Sequence, residues 1–305
     1  MDLSLIQGIL VGAVISSTSV LYATLGEVLV ERTGIVNLGL EGVMLVGACT
    51  GFVTASVTGN AALGVAVAAI AGGLFNLILG FVVINRRANQ LASGLALMFL
   101  GLGLTALLGK PFVGRMIEGI PNLPIPYLSD IPFFGPVFFN YDILVYLVFP
   151  TAILMWWILY KTRWGLRIRS VGESVVVSFA AGLNPALLRY QALFLGGTLG
   201  GIGGAHISLA FTGTWVEGMT AGRGFIAIAL VIFSMWHPIR AILGAILFGG
   251  AVALQLQLQV RGVPISPFLL DMMPYLLTLI VLLAWGGSRK HNAPAMLGQV
   301  YEHSQ

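Results

Sequence analysis

The chain has 305 residues, of which 58% are hydrophobic and 9% are charged, and its formal net charge is +4. Soluble domains usually carry about 25% charged residues, so this composition excludes an ordinary soluble protein and indicates an integral membrane protein with little mass outside the bilayer. The basic residues form no groove and no patch interleaved with aromatic residues, so we expect no nucleic-acid partner.

Nine apolar runs in the sequence are candidate membrane spans. They predict an all-α integral membrane protein, a polytopic bundle of about nine transmembrane helices with a range of 8 to 10. We place a single transmembrane domain at residues 1–288 and a flexible cytoplasmic tail at residues 289–305. The seventh run is short, which leaves open whether it crosses the membrane fully. The runs lie near residues 5–26, 35–57, 61–85, 91–109, 142–160, 189–211, 222–236, 240–258 and 271–287.

The basic residues predict the orientation of the chain in the membrane. When the loop after the fifth run is placed inside, the alternating connections put 11 of the 15 Lys and Arg residues on the cytoplasmic side and 4 on the outer side. Because cytoplasmic loops carry an excess of basic residues, we expect the N-terminus outside and the C-terminus inside.

The second run opens with residues 31–48, ERTGIVNLGLEGVMLVGA, in which four glycines accompany Asn37 and Glu41. Glycine costs about 1 kcal/mol in a helix interior, and backbone groups freed inside a membrane need partners. One interpretation is a bent or broken helix whose open backbone lines a polar path. The alternative is a tightly packed helix with Glu41 at the level of the cytoplasmic headgroups. Counting from the start of the run, we place Glu41 in the shallow cytoplasmic third of the membrane.

The loop between the fifth and sixth runs is the most basic part of the chain and predicts a short surface helix. Ser170 and Glu173 have the spacing of a capping box, and Gly182 suits the left-handed residue that ends a helix. Asn184 and Pro185 then predict the start of the next helix. The short helix would have about 11 residues and a length of roughly 16 Å, which cannot cross a hydrocarbon core of about 30 Å. It either rests on lipid headgroups or contacts a soluble partner.

Two further patterns concern glycine. The sixth run contains overlapping small-xxx-small repeats, such as Gly196, Gly200 and Gly204, which predict close helix packing. The seventh run, like the second, opens with glycines, here on either side of Arg223. This similarity hints at two related halves.

The sequence offers no site for chemistry. The four histidines have no metal-ligand spacing, and no Ser/His/Asp or Cys/His arrangement suggests a catalytic residue, so we expect neither. A phosphate-binding G-x-x-x-x-G-K-[ST] motif is also missing, so we expect a transport protein that does not hydrolyse ATP itself. Ion-coupled transporters usually carry several ionisable residues in the membrane, whereas Glu41 is the one clear candidate here. The energy for pumping would then come from a partner.

Four segments of the sequence resemble one known family. They are ERTGIVNLGLEGVMLVGA at 31–48, NQLASGLAL at 89–97, GLRIRSVGES with AAGLNP within 165–185, and AGRGFIAIALVIF at 221–233. Together they resemble the permease subunits of bacterial ABC importers, in the class that serves ribose, branched-chain amino acids and nucleosides. The opening of the second run is most similar to the nucleoside-importer branch.

The resemblance implies a set of partners and a location. In this family two permease chains form the pathway, ATP-binding cassette ATPases bind their cytoplasmic loops, and an extracytoplasmic substrate-binding protein delivers the solute. We therefore expect a second permease subunit, the ATPase, the binding protein and membrane lipid as partners, and a multi-pass location in the bacterial cytoplasmic (inner) membrane. The chain would need no cofactor of its own, since ATP and Mg are bound by the partner ATPase.

The resemblance also assigns roles to particular residues. The basic loop matches the cytoplasmic coupling helix of the family. The residues carried over to ATPase coupling are Arg169, Gly172, Glu173, Ala181 and Gly182. The residues carried over to the substrate pathway are Asn37, Gly39, Glu41, Gly42, Asn89 and Gln90. The chain departs from the family pattern at Met98, at Val175–Ser178, at Ser234–Met235 and at His237.

Other functions remain open on the sequence. A stand-alone proton- or sodium-coupled secondary transporter would use the same broken helix, although the scarcity of buried acids argues against it. A permease for a sugar or a branched-chain amino acid fits the same motifs. A membrane scaffold would retain the basic loop but would leave the glycine cluster around Asn37 unexplained.

Overall fold

The computed structural model describes residues 3–263, 265–285 and 293–299, and the all-α class that the sequence predicts is confirmed. Two short strands, β1 (Leu123–Pro124) and β2 (Asn140–Tyr141), form an antiparallel pair in the loop after the fourth helix. The helices are α1 (Leu3–Glu31), α2 (Leu40–Thr58), α3 (Ala61–Gly80), α4 (Gln90–Gly109), α5 (Phe134–Phe138), α6 (Ile143–Lys161), α7 (Arg163–Glu173), α8 (Val175–Ala180), α9 (Pro185–Ala205), α10 (Arg223–Phe233), α11 (Pro238–Val260), α12 (Pro267–Asp271) and α13 (Met273–Trp285). Two of them continue as π-helical turns, α3 over Phe81–Asn85 and α9 over His206–Phe211.

Seven helices in the described part of the chain are long and apolar enough to cross a membrane, namely α1, α2, α3, α4, α6, α9 and α11. Two shorter apolar helical segments, α10 and the stretch Pro267–Ile280, account for the seventh and ninth predicted runs. The 11 residues of α10 extend about 16 Å, roughly half of a hydrocarbon core. The seventh run is therefore a half-length helix.

The helices pack as two related sets. α3 packs along α9, and α11 packs along α1; α2 contacts α9, and α10 contacts α1. The two sets also meet directly, through α1 with α9 and through α2 with α10. The pattern is unchanged when α1, α2 and α3 are exchanged with α9, α10 and α11. This symmetry of contacts supports the two related halves suggested by the glycine-rich openings of the second and seventh runs.

The two sets run in opposite directions through the bilayer. Arg189, in the first turn of α9, donates from Nε to the carbonyl oxygen of Thr33, just past the end of α1, at 3.1 Å. Tyr190 beside it donates to Oδ1 of Asn85, at the end of α3. Arg32 in turn reaches the carbonyl oxygen of Trp236, just before α11. α1 and α3 thus end where α9 and α11 begin, which is the arrangement of an inverted repeat.

Glycines bring the backbones of the central helices into contact, as the small-xxx-small repeats predict. A Cβ atom at Gly197 on α9 would lie 2.5 Å from the Cβ of Asn76 on α3. One at Gly203 would lie 2.6 Å from the carbonyl oxygen of Ser19 on α1. Real Cβ atoms do not approach so closely, so α9 can hold both neighbours only because these positions carry no side chain.

Candidate functional site

The second predicted run is broken in the structure. α1 ends at Glu31 and α2 begins only at Leu40, so residues 32–39 are non-helical. Gly34 has a φ of +86°, a left-handed conformation that permits the turn out of α1. Since backbone without helical hydrogen bonds needs other partners inside a membrane, the contacts of this segment define the candidate site.

Asn37 ties the non-helical segment to three neighbouring helices. Its side-chain Nδ2 donates to Oδ1 of Asn76 on α3 at 3.0 Å, and Asn76 donates onward to the carbonyl oxygen of Leu193 on α9 at 2.7 Å. The Asn37 backbone N–H donates to Oε1 of Glu27 on α1 at 3.1 Å. Its Oδ1 accepts from the backbone N–H of Gly39 at 3.0 Å. The buried amide is therefore hydrogen-bonded through both its nitrogen and its oxygen, and these bonds hold the break in place.

Glu41 joins the start of α2 to the start of α10. Its Oε1 accepts from the hydroxyl of Thr220 at 2.5 Å and from the backbone N–H of Gly222 at 2.8 Å, and its Oε2 accepts from the backbone N–H of Gly224 at 2.6 Å. The positive end of the α10 dipole favours a carboxylate at this point. A Cβ atom at Gly224 would lie 2.5 Å from the Cα of Glu41, so glycine is required for the approach.

Glu41 lies one helix length from the far end of α10. The carboxylate sits at the start of α10, whose 11 residues extend about 16 Å from that point, and the depth of Glu41 in a membrane stays a prediction. Glu41 is also only 6% exposed, which argues against a side chain facing lipid headgroups.

The other residues assigned to the pathway lie around α4. Gly39 and Gly42 pack against the backbone of α4, where a Cβ atom at Gly42 would lie 2.9 Å from the Cα of Met98. Asn89 is exposed and caps α4 by accepting from the backbone N–H of Ala92 at 3.0 Å. Gln90 is buried, and its Oε1 accepts from the backbone N–H of Val36 at 2.8 Å.

The structure brings together Asn37, Gly39, Glu41, Gly42 and Gln90 along the break, whereas Asn89 lies exposed at its edge. The sequence analysis missed Glu27 and Thr220 as partners of this group. Thr220 stands two residues before Gly222, the first of the glycines that flank Arg223, so the glycine signal pointed to the right turn.

The basic loop forms two helices instead of one. α7 begins at Arg163 because Thr162 caps it, accepting from the backbone N–H of Gly165 at 3.1 Å. Ser170 therefore lies inside α7 and donates to the carbonyl oxygen of Arg167, so the predicted capping box with Glu173 is wrong. Ser174 instead starts α8 by accepting from Val177 N at 3.3 Å.

The end of α8 and the start of α9 follow the sequence signals. Gly182 has a φ of +80° and donates from its backbone N–H to the carbonyl oxygen of Phe179 at 2.9 Å. Asn184 caps α9 by accepting from the backbone N–H of Leu187 at 3.1 Å, and Pro185 is the first helical residue. Both predictions are confirmed.

Of the five residues assigned to ATPase coupling, three are exposed and two face inward. Glu173, Ala181 and Gly182 are exposed. They border an apolar surface on α8 formed by Val176, Val177 and Phe179, which are 57%, 67% and 69% exposed. Arg169 and Gly172 face inward. The Arg169 guanidinium carbon lies 5.0 Å from the ring centroid of Tyr160, and Gly172 packs on the backbone of Arg32.

A cluster around Arg32 connects α7 to the ends of α1 and α10. Arg32 donates from Nε to the carbonyl oxygen of Trp236 at 3.2 Å and from Nη2 to the hydroxyl of Tyr160 at 2.9 Å. The Trp236 indole N–H donates to Oε2 of Glu31 at 2.5 Å. Burial, followed by the charges of Arg240 and Arg32, lowers the pKa of neighbouring His237. This shift favours the neutral form of the imidazole.

Residues 293–299 pack onto this cluster. The backbone N–H of Met296 donates to the carbonyl oxygen of Gly172 at 2.9 Å. The side chain of Gln90 donates to the carbonyl oxygen of Gln299 at 2.8 Å. The remaining residues of the tail predicted at 289–305 lie outside the described residues. Among those that are described, no group of three His, Cys, Asp or Glu residues could hold a metal ion.

Comparisons with known proteins agree with this geometry. A family model described as the permease component of the branched-chain amino acid transport system matches residues 8–282. The chain is 41% identical over 269 residues to a putative glucose ABC transporter permease protein of Haloferax volcanii, which covers 87% of this chain and 82% of the relative. It is 36% identical to a nucleoside ABC transporter permease protein of Lactococcus lactis subsp. cremoris, over 98% of each chain.

A guanosine ABC transporter permease protein of Bacillus subtilis is also 36% identical, over 99% of this chain and 98% of the relative. The resemblance noted in four segments thus extends over nearly the whole length, and the matched region covers the helices that could cross a membrane except for the first residues of α1. This chain belongs to the family of multi-pass ABC transporter permeases whose model describes the permease component of the branched-chain amino acid transport system.

Proposed function

We propose that this permease conducts a nucleoside across the membrane as a subunit of an ATP-driven importer. The observation that carries the proposal is the match, over 98% or more of both chains, to permeases named for nucleosides and for guanosine. A sugar is the second candidate, favoured by the higher identity of 41% to a permease named for glucose, over a smaller share of that relative.

The exposed end of α8 is the proposed contact for the ATPase. Val176, Val177 and Phe179 are more than half exposed on the basic side of the chain, with Glu173 and Gly182 at the edge of the same surface. A partner protein would bury this apolar area at about 25 cal/mol per Å². If α8 docks the ATPase at this surface instead of resting on lipid headgroups, movements of the ATPase would be transmitted to the membrane helices.

Movement of α8 would reach the broken segment through contacts already described. α7 carries Gly172 against the carbonyl oxygen of Arg32, and Arg32 holds the loop after α10 through Trp236. α10 begins at the carboxylate of Glu41. A shift of the docked ATPase would therefore be transmitted to both ends of α10. Binding of ATP to the ATPase would then favour one conformation of the non-helical segment around Asn37.

The proposal includes partners and orientation. A second permease subunit, an ATP-binding cassette ATPase and an extracytoplasmic substrate-binding protein would complete the importer. ATP and Mg would bind to the ATPase, and this chain would supply no cofactor site, metal site or catalytic residue of its own. The basic loop with α7 and α8 would face the cytoplasm, and the N-terminus would lie on the outer side of the bacterial cytoplasmic membrane.

The first experiment is to purify the chain from its native membrane in mild detergent and identify the proteins that accompany it. The recovered complex is then reconstituted in proteoliposomes, and uptake of guanosine and of glucose is measured with and without ATP. Guanosine uptake that requires ATP and ignores an uncoupler supports the proposal. A chain that is recovered without an ATPase, and whose uptake collapses with an uncoupler, would instead be a gradient-driven secondary transporter.

A further inference from the structure

A cavity of about 400 Å³ lies between the start of α10, the outer half of α11 and the segment α12–α13. This volume is within the range of small-molecule sites, which combine apolar walls with a few placed polar groups. Its walls include Ile226, Phe248 and Val252. The polar and aromatic groups that border it are Phe211, Arg223, Gln255, Asp271 and Tyr275.

One wall of the cavity is a polar strip on a membrane helix. Gln255 and Gln259 lie one turn apart on α11, and both donate from Nε2 to Oδ1 of Asp271, at 2.5 and 3.0 Å. Polar and ionisable side chains in membrane helices face a protein interior or water instead of lipid. Gln255 lies 17 residues after the start of α11, about 26 Å along the helix, so this wall is close to the outer surface.

The opposite wall is the turn that holds Glu41. Tyr275 donates from its hydroxyl to the carbonyl oxygen of Ala221 at 2.9 Å. Arg223 donates from Nη1 to the carbonyl oxygen of Met219 at 3.1 Å, and its guanidinium carbon lies 6.0 Å from the ring centroid of Phe211. Both residues therefore border the same few residues whose backbone N–H groups bind the Glu41 carboxylate. A molecule in the cavity would touch that turn directly.

We propose that this cavity is an outward-facing solute site and that its ligand is a neutral ring compound bearing several hydroxyls, of the nucleoside class. The inference rests on the proposed function and deepens it. The rings of Phe211 and Tyr275 and the planar guanidinium of Arg223 offer stacking surfaces for a base. The amide of Gln255 and the carboxylate of Asp271 accept from sugar hydroxyls and base N–H groups. Arg223 and Asp271 also balance each other in charge, which suits an uncharged solute.

Solute protection of an introduced cysteine tests the site. Leu256 lines the cavity and is 43% exposed, so Leu256→Cys leaves the polar groups in place, and Val252→Cys, also in the apolar wall, serves as a second reporter. The control is Leu107→Cys, which lies 17 residues after the start of α4, at the same depth as Gln255, on an exposed apolar face. The chain's own Cys49 is buried.

The complete importer is labelled in right-side-out vesicles with a membrane-impermeant maleimide, and the label on this chain is read by mass spectrometry. We expect both cavity reporters to react from outside and the control to stay unlabelled. Guanosine at ten times the concentration that gives half-maximal uptake should occupy most of the sites. The labelling should then be about tenfold slower. Leucine at the same concentration should give no protection.

Each result distinguishes the two proposals. If guanosine is transported with ATP while neither reporter is protected, the cavity is not the solute site and the proposed function stands. If glucose or leucine protects and guanosine does not, the site is real and the ligand class is wrong. If the importer takes up no guanosine at all, the result contradicts the proposed function on which this inference rests. In addition, Tyr275→Leu should raise the half-saturating guanosine concentration about tenfold, and an unchanged value would overturn the stacking role.

Discussion

Replacing Glu41 by glutamine removes the charge at the meeting point of α2 and α10 while preserving the size of the side chain. In the protein, Oε1 accepts from Thr220 and Gly222, and Oε2 accepts from Gly224. Glutamine can keep the first pair of bonds with its oxygen. Its NH₂ group then faces the backbone N–H of Gly224. This N–H loses its acceptor and faces a second donor instead.

The magnitude follows from these contacts. A hydrogen bond to a charged group contributes about 1.5–3 kcal/mol, and loss of the charge at the α10 dipole costs roughly a further 0.3–1 kcal/mol. About 3 kcal/mol in total corresponds to a factor of roughly 100 in the population of the arrangement that holds the two helix starts together. We therefore expect Glu41→Gln to lower the initial rate of ATP-dependent guanosine uptake at least about tenfold.

The assay is uptake into proteoliposomes that contain equal amounts of assembled complex, with thermal unfolding of the complex as a second readout. We expect the ATPase still to copurify, because Glu41 is not part of the contact surface proposed on α8. The matched control is Glu217→Gln, the same chemical change at an exposed position three residues before Thr220. Uptake by Glu41→Gln within twofold of the control would refute the reasoning that the carboxylate holds α10 for transport.

Three further changes test the basic loop and the break. Glu173→Lys, at the exposed edge of the proposed ATPase contact, should lower both ATPase copurification and uptake with normal membrane insertion; normal copurification would remove the docking role. Gly172→Ala places a Cβ against the backbone of Arg32 and should cost about 1–3 kcal/mol by thermal unfolding, whereas Gly103→Ala, with open space around it, should cost nothing; equal effects would contradict the packing argument. Asn37→Leu leaves the buried Oδ1 of Asn76 without its donor and should lower stability by about 1–3 kcal/mol; a variant as stable as the parent chain would show that the amide pair is dispensable.

The fold was predictable where local signals decide it. Hydropathy located every long helix, and Gly182 and Asn184 act within a few residues of their own position, so the turn between α8 and α9 came out correctly. The start of α7, in contrast, was not predicted correctly. Thr162 and Ser170 are both acceptable helix caps by residue type. The choice between them depended on the place where α6 ends, which the sequence leaves uncertain by a few residues.

The partners of the site residues were beyond local reasoning. Glu41 finds its three donors 179 to 183 positions later in the chain, and Asn37 finds Asn76 only once α3 has packed. Glycine spacing indicated which turns would open, because that signal is local. It carried no information on which open turn would receive which side chain.

The contact between Glu41 and α10 has a consequence for biosynthesis. At about 5–20 residues per second, translation of the intervening chain takes roughly 9–36 seconds, and during that interval the carboxylate has none of these donors. An unpaired acid at the bilayer centre costs about 2.5–3.5 kcal/mol on insertion scales. We therefore expect the start of α2 to reach its final position only after the ribosome has delivered α10. A helix too short to insert alone thus sets the moment at which the first half of the protein can reach its final depth.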